Sequence, residues 1–251
     1  MQPLEQDGVR LAATVMLIRD AVQGLEVYMV QRTGRGAFPD LHVFPGGKVD
    51  EEDFAPELCT DIDDAEASRL LGVSAGGLRY WVAVARECFE ECGVLLAMRD
   101  NEYVDFSDPQ VVTHFAAKRA ALLDGTLEFN TLCHDEGLHI AADQLAYFSH
   151  WITPEMAPRR FNTRFFLAAM RADQETLPHA AEAADDEWIR PSVALDKAAA
   201  GEWQMIDPTL RSLETLSQFD TVNTALAGVR EGNHLMPLTA HLNNQGMQPL
   251  R

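Results

Sequence analysis

Basic residues are scarce. Twenty Lys and Arg stand against 39 Asp and Glu in 251 residues, a formal net charge of −19. A protein that grips nucleic acid through its phosphates needs a basic face, so no nucleic-acid partner is expected. An anionic ligand must then be held by local Arg and Lys or through a bridging cation. Cysteine is sparse too: Cys59, Cys88, Cys92 and Cys133 form no C-x-x-C pair and are too few for a disulfide framework. No apolar run reaches the ~18 residues of a membrane helix, and no basic-then-apolar leader is visible. A cytoplasmic protein without a membrane partner is the expectation. What is present suffices for one large core, since 47% of residues are hydrophobic.

Residues 9–18, VRLAATVMLI, and 25–31, LEVYMVQ, read as buried strands joined in a hairpin through Gln23-Gly24. The loop TGRGAFPD follows, then a short strand running into Pro45-Gly46-Gly47. A helical piece at 63–71 precedes GVSAGG, and a helix over 77–92 stops at Gly93. Asp108-Pro109 starts another helix, which Asp124-Gly125 ends. Residues 126–145 read as short helices and loops. HWIT, RFFLAAM (164–170) and Glu187-Trp188-Ile189 read as strands. Helices are expected near 191–200 and 208–229, and the last twenty residues are polar and weakly patterned. Strands mixed with helices imply an α/β or α+β layered domain.

The chemistry concentrates in Arg86-Glu87-Cys88-Phe89-Glu90-Glu91-Cys92-Gly93-Val94. On a helix, Glu87 pairs with Glu90 at i, i+3 and with Glu91 at i, i+4, so all three carboxylates share a face. Like charges at these spacings destabilise a helix unless something neutralises them. A hard divalent cation does so through oxygen ligands, and Arg86 can fix one carboxylate bidentately. The bland alternative is a solvated acidic face.

R-E-x-x-E-E-x-G together with Phe44-Pro45-Gly46-Gly47 resembles the Nudix hydrolase family. Two departures stand out: Asp53 replaces the family's first Glu, and 32 residues rather than seven separate it from Arg86. An insertion, residues 54–79, therefore interrupts the motif. Its ends must lie close together, which loop-closure entropy tolerates. It is expected to form a helical excursion beside the site that restricts the substrate. RLAATVMLIRD, GLEVYMVQR and HWITPEMAPRRFNTRFFLA resemble the coenzyme A and acyl-CoA diphosphatase branch.

The resemblance implies a single Nudix-type α/β/α sandwich over 1–251. It has a mixed β-sheet and a C-terminal helical extension from about 191 to 251. It implies hydrolysis of a diphosphate bond in a nucleotide linked to another group, with Mg²⁺ or Mn²⁺ as cofactor. Glu87, Glu90, Glu91 and the Gly46 carbonyl are the implied metal ligands. Arg86 orients the glutamates, and Glu87 or Glu182 is the implied base. Arg32, Arg35, Lys48, Arg159, Arg160 and Arg164 are the cations expected to meet phosphate. CoA or acyl-CoA is the first substrate guess, with NADH or ADP-ribose next. A non-catalytic ligand sensor is the rival from another class, and a homodimer is left open.

Weaker signals read as structure. Gly72-x-Ser74-x-Gly76 follows a helical stretch rather than a strand, so Ser74 is a loop or capping residue, not a nucleophile. Cys133, His134 and His139 read as loop. Cys88, Cys92, Tyr80 and Trp81 read as core.

Overall fold

A computed structural model describes residues 3–6, 8–33, 40–181, 183–232, 239–243 and 246–249. The strands and helices begin with β1 (Glu5–Gln6), β2 (Val9–Ala21), β3 (Gly24–Arg32), β4 (His42–Val43), β5 (Gly46–Lys48), α1 (Asp64–Leu71) and α2 (Arg79–Cys92). There follow β6 (Ala97–Arg99), β7 (Glu102–Tyr103), α3 (Pro109–Leu123), α4 (Phe129–Glu136), β8 (Leu138–Ile140), β9 (Leu145–Ile152), β10 (Arg160–Ala169) and β11 (Ala183–Ile189). The chain closes with α5 (Pro191–Ala199), α6 (Asp207–Leu216), α7 (Val222–Glu231), β12 (Thr239–Asn243) and β13 (Gly246–Pro249).

The main sheet runs β11-β3-β2-β10-β9-β12-β13, with β1, β4 and β5 paired at its side. It is mixed: β2 runs parallel to β10, and β9 to β12, while the other neighbours are antiparallel. Period-2 alternation sorts its residues between two cores. Leu11, Ala13, Val15 and Leu17 of β2 pack with the α2 side chains Val84, Cys88 and Phe89. Met16 and Ile18 pack on the other face with Leu213, Leu216, Ala225 and Leu226. The expected α/β/α sandwich is therefore present, and α5–α7 form its second helical layer. Each fully buried Leu there contributes about 1.5–3 kcal/mol.

Some expectations need correction. The single helix over 208–229 is two helices, because Thr221 starts α7 with a reciprocal cap. Its hydroxyl accepts from the Thr224 amide, and the Thr224 hydroxyl accepts from the Thr221 amide, both at 3.2 Å. Cys133 and His134 lie on α4, with Cys133 buried, and His139 lies on β8. The weakly patterned tail contributes β12 and β13. The small sheet β7-β6-β8 has strands of two or three residues, too short to show an alternation. Tyr80, Trp81, Cys88 and Cys92 are buried, as read. Ser74 lies in the bend between α1 and α2.

Candidate active site

The helix carrying the glutamates is held at both ends by other segments. Its N-terminal amides need acceptors, and no side chain caps it locally. The Tyr80 and Trp81 amides donate to the Gly77 and Leu78 carbonyls, and residues of α1 hold the turn that leads into the helix. Asp64 accepts from the Gly76 amide at 2.9 Å and from the Leu78 amide at 3.1 Å, and the Ser68 hydroxyl accepts from Gly77 at 2.9 Å. At the other end Gly93 takes a left-handed φ of 74°. Arg119 of α3 donates to the carbonyls of Glu90 and Glu91 at 2.8 and 3.2 Å. The Leu177 and His179 amides donate to the carbonyls of Cys92 and Glu91.

Between these anchors the two halves of the interrupted motif meet. Arg86 donates bidentately to Asp53 at 2.9 and 3.0 Å, to Glu87 at 2.9 Å, to Glu90 at 3.1 Å and to the Lys48 carbonyl at 2.9 Å. Asp53 is 1% exposed and also accepts from the Asp50 amide. One guanidinium therefore hydrogen-bonds three carboxylates and lies 3.6 Å from a fourth, Asp50. Burial, together with the charges of Glu90 and Asp53, drives the Glu87 carboxyl above its ordinary value even though Arg86 opposes the shift. Burial does the same to Glu90.

The glycines are required for closeness. Gly46 donates to Glu91 at 2.8 Å, and a Cβ added there would collide with the Ala13 carbonyl. A Cβ on Gly47 would overlap the Glu87 carboxylate. Bare backbone at Gly47 is what gives Glu87 access to the space beyond.

That space is a cavity of about 840 Å³ on the face of α5–α7. Gly46, Gly47, Lys48, Asp50 and Glu87 line its inner end. Arg10, Ala12 and Thr14 of β2 and Phe161, Thr163 and Phe165 of β10 form its floor. Trp151, Ile152, Pro154, Met205 and Pro208 give it an apolar wall. Such a cavity fits a ligand with one strongly anionic part and one apolar part.

These features meet a direct comparison with known proteins. Residues 74–216 match the family model described as the NUDT19 Nudix domain. The chain belongs to the NUDT19 Nudix family. It is 23% identical over 79% of its length to the acyl-coenzyme A diphosphatase NUDT19 of Xenopus laevis, and 25% identical over 80% to that of Homo sapiens. It spans 61% and 63% of those relatives' lengths. A crystal structure of a NUDIX hydrolase from Alicyclobacillus acidocaldarius superposes with a TM-score of 0.67 at 25% identity, covering 87% of this chain and 96% of that one.

Within this Nudix domain the sequence-derived residues divide. Arg86, Glu87, Glu90, Glu91 and Gly46 come together. Lys48, Arg32 and Arg159 line the cavity. Arg35 and Glu182 lie outside the described residues. Arg160 and Arg164 do not line the cavity, because β10 turns its even-numbered residues to the α2 face. Arg164 is 4% exposed there, lies over the Tyr80 ring and donates to the Leu71 carbonyl. Arg160 donates to the Thr153 carbonyl. Arg10, Trp151 and Phe161 also line the cavity without being among the sequence-derived site residues. Alternation within 9–18 carries the signal for Arg10.

The insertion does form the expected helix, α1. No residue of 54–79 lines the cavity. Leu58, Ala67 and Leu71 instead join the core beneath α2.

The donor set fits a hard cation. It is all oxygen, carries excess negative charge and sits beside the cavity. Among the described residues no three acidic, His or Cys side chains already enclose one point. Glu87 and Glu90 give oxygens to Arg86, and Glu91 gives one to the Gly46 amide.

Proposed function

We propose that this domain hydrolyses a diphosphate bond in a nucleotide joined to a second group, with CoA or an acyl-CoA as the leading substrate, and that Mg²⁺ or Mn²⁺ is required. The carrying observation is that Glu87 lies against Gly47 at the inner end of the cavity, Glu91 accepts from the Gly46 amide, and Arg86 joins Glu87 to Glu90. The two NUDT19 relatives are named acyl-CoA diphosphatases, which supports a CoA-type substrate.

Glu87, Glu90 and Glu91 would hold the cation, which when bound would neutralise the diphosphate and lower the pKa of an attacking water. Arg86 holds Glu87 and Glu90 in place against their mutual repulsion. The Gly46 amide holds Glu91. Bare backbone at Gly46 and Gly47 leaves room for phosphate oxygens, and Lys48 and Arg32 meet their charge. Phosphoryl chemistry depends mainly on such positioning and electrostatics. The apolar wall excludes water from the far part of the substrate.

The test is a panel of CoA, acyl-CoAs, NADH, ADP-ribose and dinucleoside polyphosphates, with Mg²⁺ or Mn²⁺ and products resolved by mass. The expected products from CoA are 4′-phosphopantetheine and 3′,5′-ADP. A kcat/KM for NADH or ADP-ribose about a hundredfold above that for CoA and acyl-CoAs would remove the CoA assignment. Turnover of none would remove hydrolysis.

A further inference from the structure

The cavity carries cations at the end away from the glutamates. Strand register fixes their position. Gly46, Gly47 and Lys48 pair with Thr14, Ala13 and Ala12, so the Glu87 carboxylate beside Gly47 belongs to the rung of Ala13. Arg10 lies three residues further along β2, roughly 10 Å at 3.3 Å per residue. Arg10 pairs with Phe161 and Val9 with Arg160 across the parallel β2–β10 ladder. Arg159, just before β10, therefore leaves the neighbouring strand at the same end. Both arginines line the cavity.

Neither arginine is committed to a buried structural partner. Arg159 is exposed and forms no ion pair among the described residues. Arg10 pairs with Glu5, with side chains 52% and 50% exposed. Such a surface pair is worth little and exchanges readily for a better acceptor. Trp151, Ile152 and Phe161 wall this end, and an apolar wall strengthens the field of nearby charges. Two arginines lining the same end of one cavity in so acidic a chain match a phosphate, which accepts from Arg in paired hydrogen bonds.

We propose that Arg10 and Arg159 form a second anion subsite, which binds a phosphomonoester carried by the substrate roughly 10 Å from the diphosphate that is cleaved. This rests on the hydrolase reading above and adds a requirement to it: the substrate bears a further phosphate on its nucleotide part.

The test compares CoA with dephospho-CoA, which lacks the 3′-phosphate, in the wild type, Arg159→Ala, Arg159→Lys and Arg10→Ala. Both side chains are exposed, so the variants should fold, and thermal melts check this. Loss of one charge-assisted contact should raise KM for CoA about tenfold, by more than it raises KM for dephospho-CoA, with Arg159→Lys between. An equal rise for both substrates, or no rise for either, overturns the subsite.

A second arm does not depend on turnover. Calorimetric titration with 3′,5′-ADP and 5′-AMP should show the wild type favouring 3′,5′-ADP by about tenfold, and Arg159→Ala losing that preference. Equal affinities in the wild type overturn the subsite. Absence of hydrolysis with intact discrimination between the two nucleotides would instead refute the hydrolase reading alone.

Discussion

At the inner end of the cavity Arg86 is almost enclosed and donates to Asp53, Glu87, Glu90 and the Lys48 carbonyl, whereas at the outer end Arg10 and Arg159 stand exposed with at most a surface partner. The same side-chain type serves two purposes. The inner arginine builds a fixed scaffold, because each donor is matched and water is excluded. The outer arginines keep their donors available and can adapt to a ligand. Substitutions that unpair the buried Arg86 should therefore cost activity and stability together, while those at the outer end should alter selectivity with the fold intact.

The largest expected effect is on Glu91. Glu91→Gln keeps the shape and an acceptor for the Gly46 amide but removes one charge from the cation-binding face. We expect kcat to fall by about 10²-fold or more, close to 3 kcal/mol of transition-state stabilisation, with the melting curve unchanged. Wild-type turnover at saturating Mg²⁺ in a folded variant would show that the inner end does not hold the cation.

Asp53 tests whether the inner end is a scaffold. Asp53→Asn leaves Arg86 buried beside a neutral amide whose NH₂ group cannot accept its hydrogen bonds. Removing one partner of a buried pair should cost about 3 kcal/mol in denaturant unfolding. Activity should fall as well, since Arg86 is then free to shift from Glu87 and Glu90. A loss of activity with no loss of stability would mean that Asp53 acts on the cation or substrate directly.

This pair also marks what could be read from sequence. R-E-x-x-E-E-x-G was legible because helical spacing alone puts its carboxylates on one face. The Asp53–Arg86 contact spans 33 residues, so only the resemblance to an uninterrupted motif hinted at it. The insertion was legible as a helix but not by its role. Nothing local says that Asp64 and Ser68 of α1 hold the turn leading into a different helix, or that Leu58 and Leu71 belong to the main core. The arginines of 159–164 look like one cluster along the chain. The pleat of β10 separates them, because a one-residue step reverses the face.

A third and smaller effect probes that turn. Asp64→Ala removes the acceptor for the amides of Gly76 and Leu78 at the start of the helix that carries the glutamates. Loss of a comparable side-chain acceptor at a helix cap costs typically about 1 kcal/mol. Stability should drop by that amount, and kcat by only a few-fold, because the anchors at the C-terminal end remain. A change in relative kcat/KM across the substrate panel without a stability change would restore the insertion as a selectivity element, despite its absence from the cavity wall.

The smallest effect is expected at Arg160, and it sharpens the contrast most directly. Arg160 is adjacent in sequence to Arg159, carries the same charge and lies at the same end of β10. Long-range electrostatics alone would give the two nearly equal influence, since at physiological salt a Debye length of about 8 Å separates them little. Geometry gives them different influence. Arg159 lines the cavity, whereas Arg160 is turned to the other face and donates to the Thr153 carbonyl. Arg160→Ala should therefore change KM for CoA by less than about threefold, where Arg159→Ala changes it about tenfold. Measuring both variants at low and high ionic strength separates the causes. A difference that persists in high salt reflects direct contact at Arg159. Equal effects that vanish together with salt would mean that the outer end attracts the ligand only through its field.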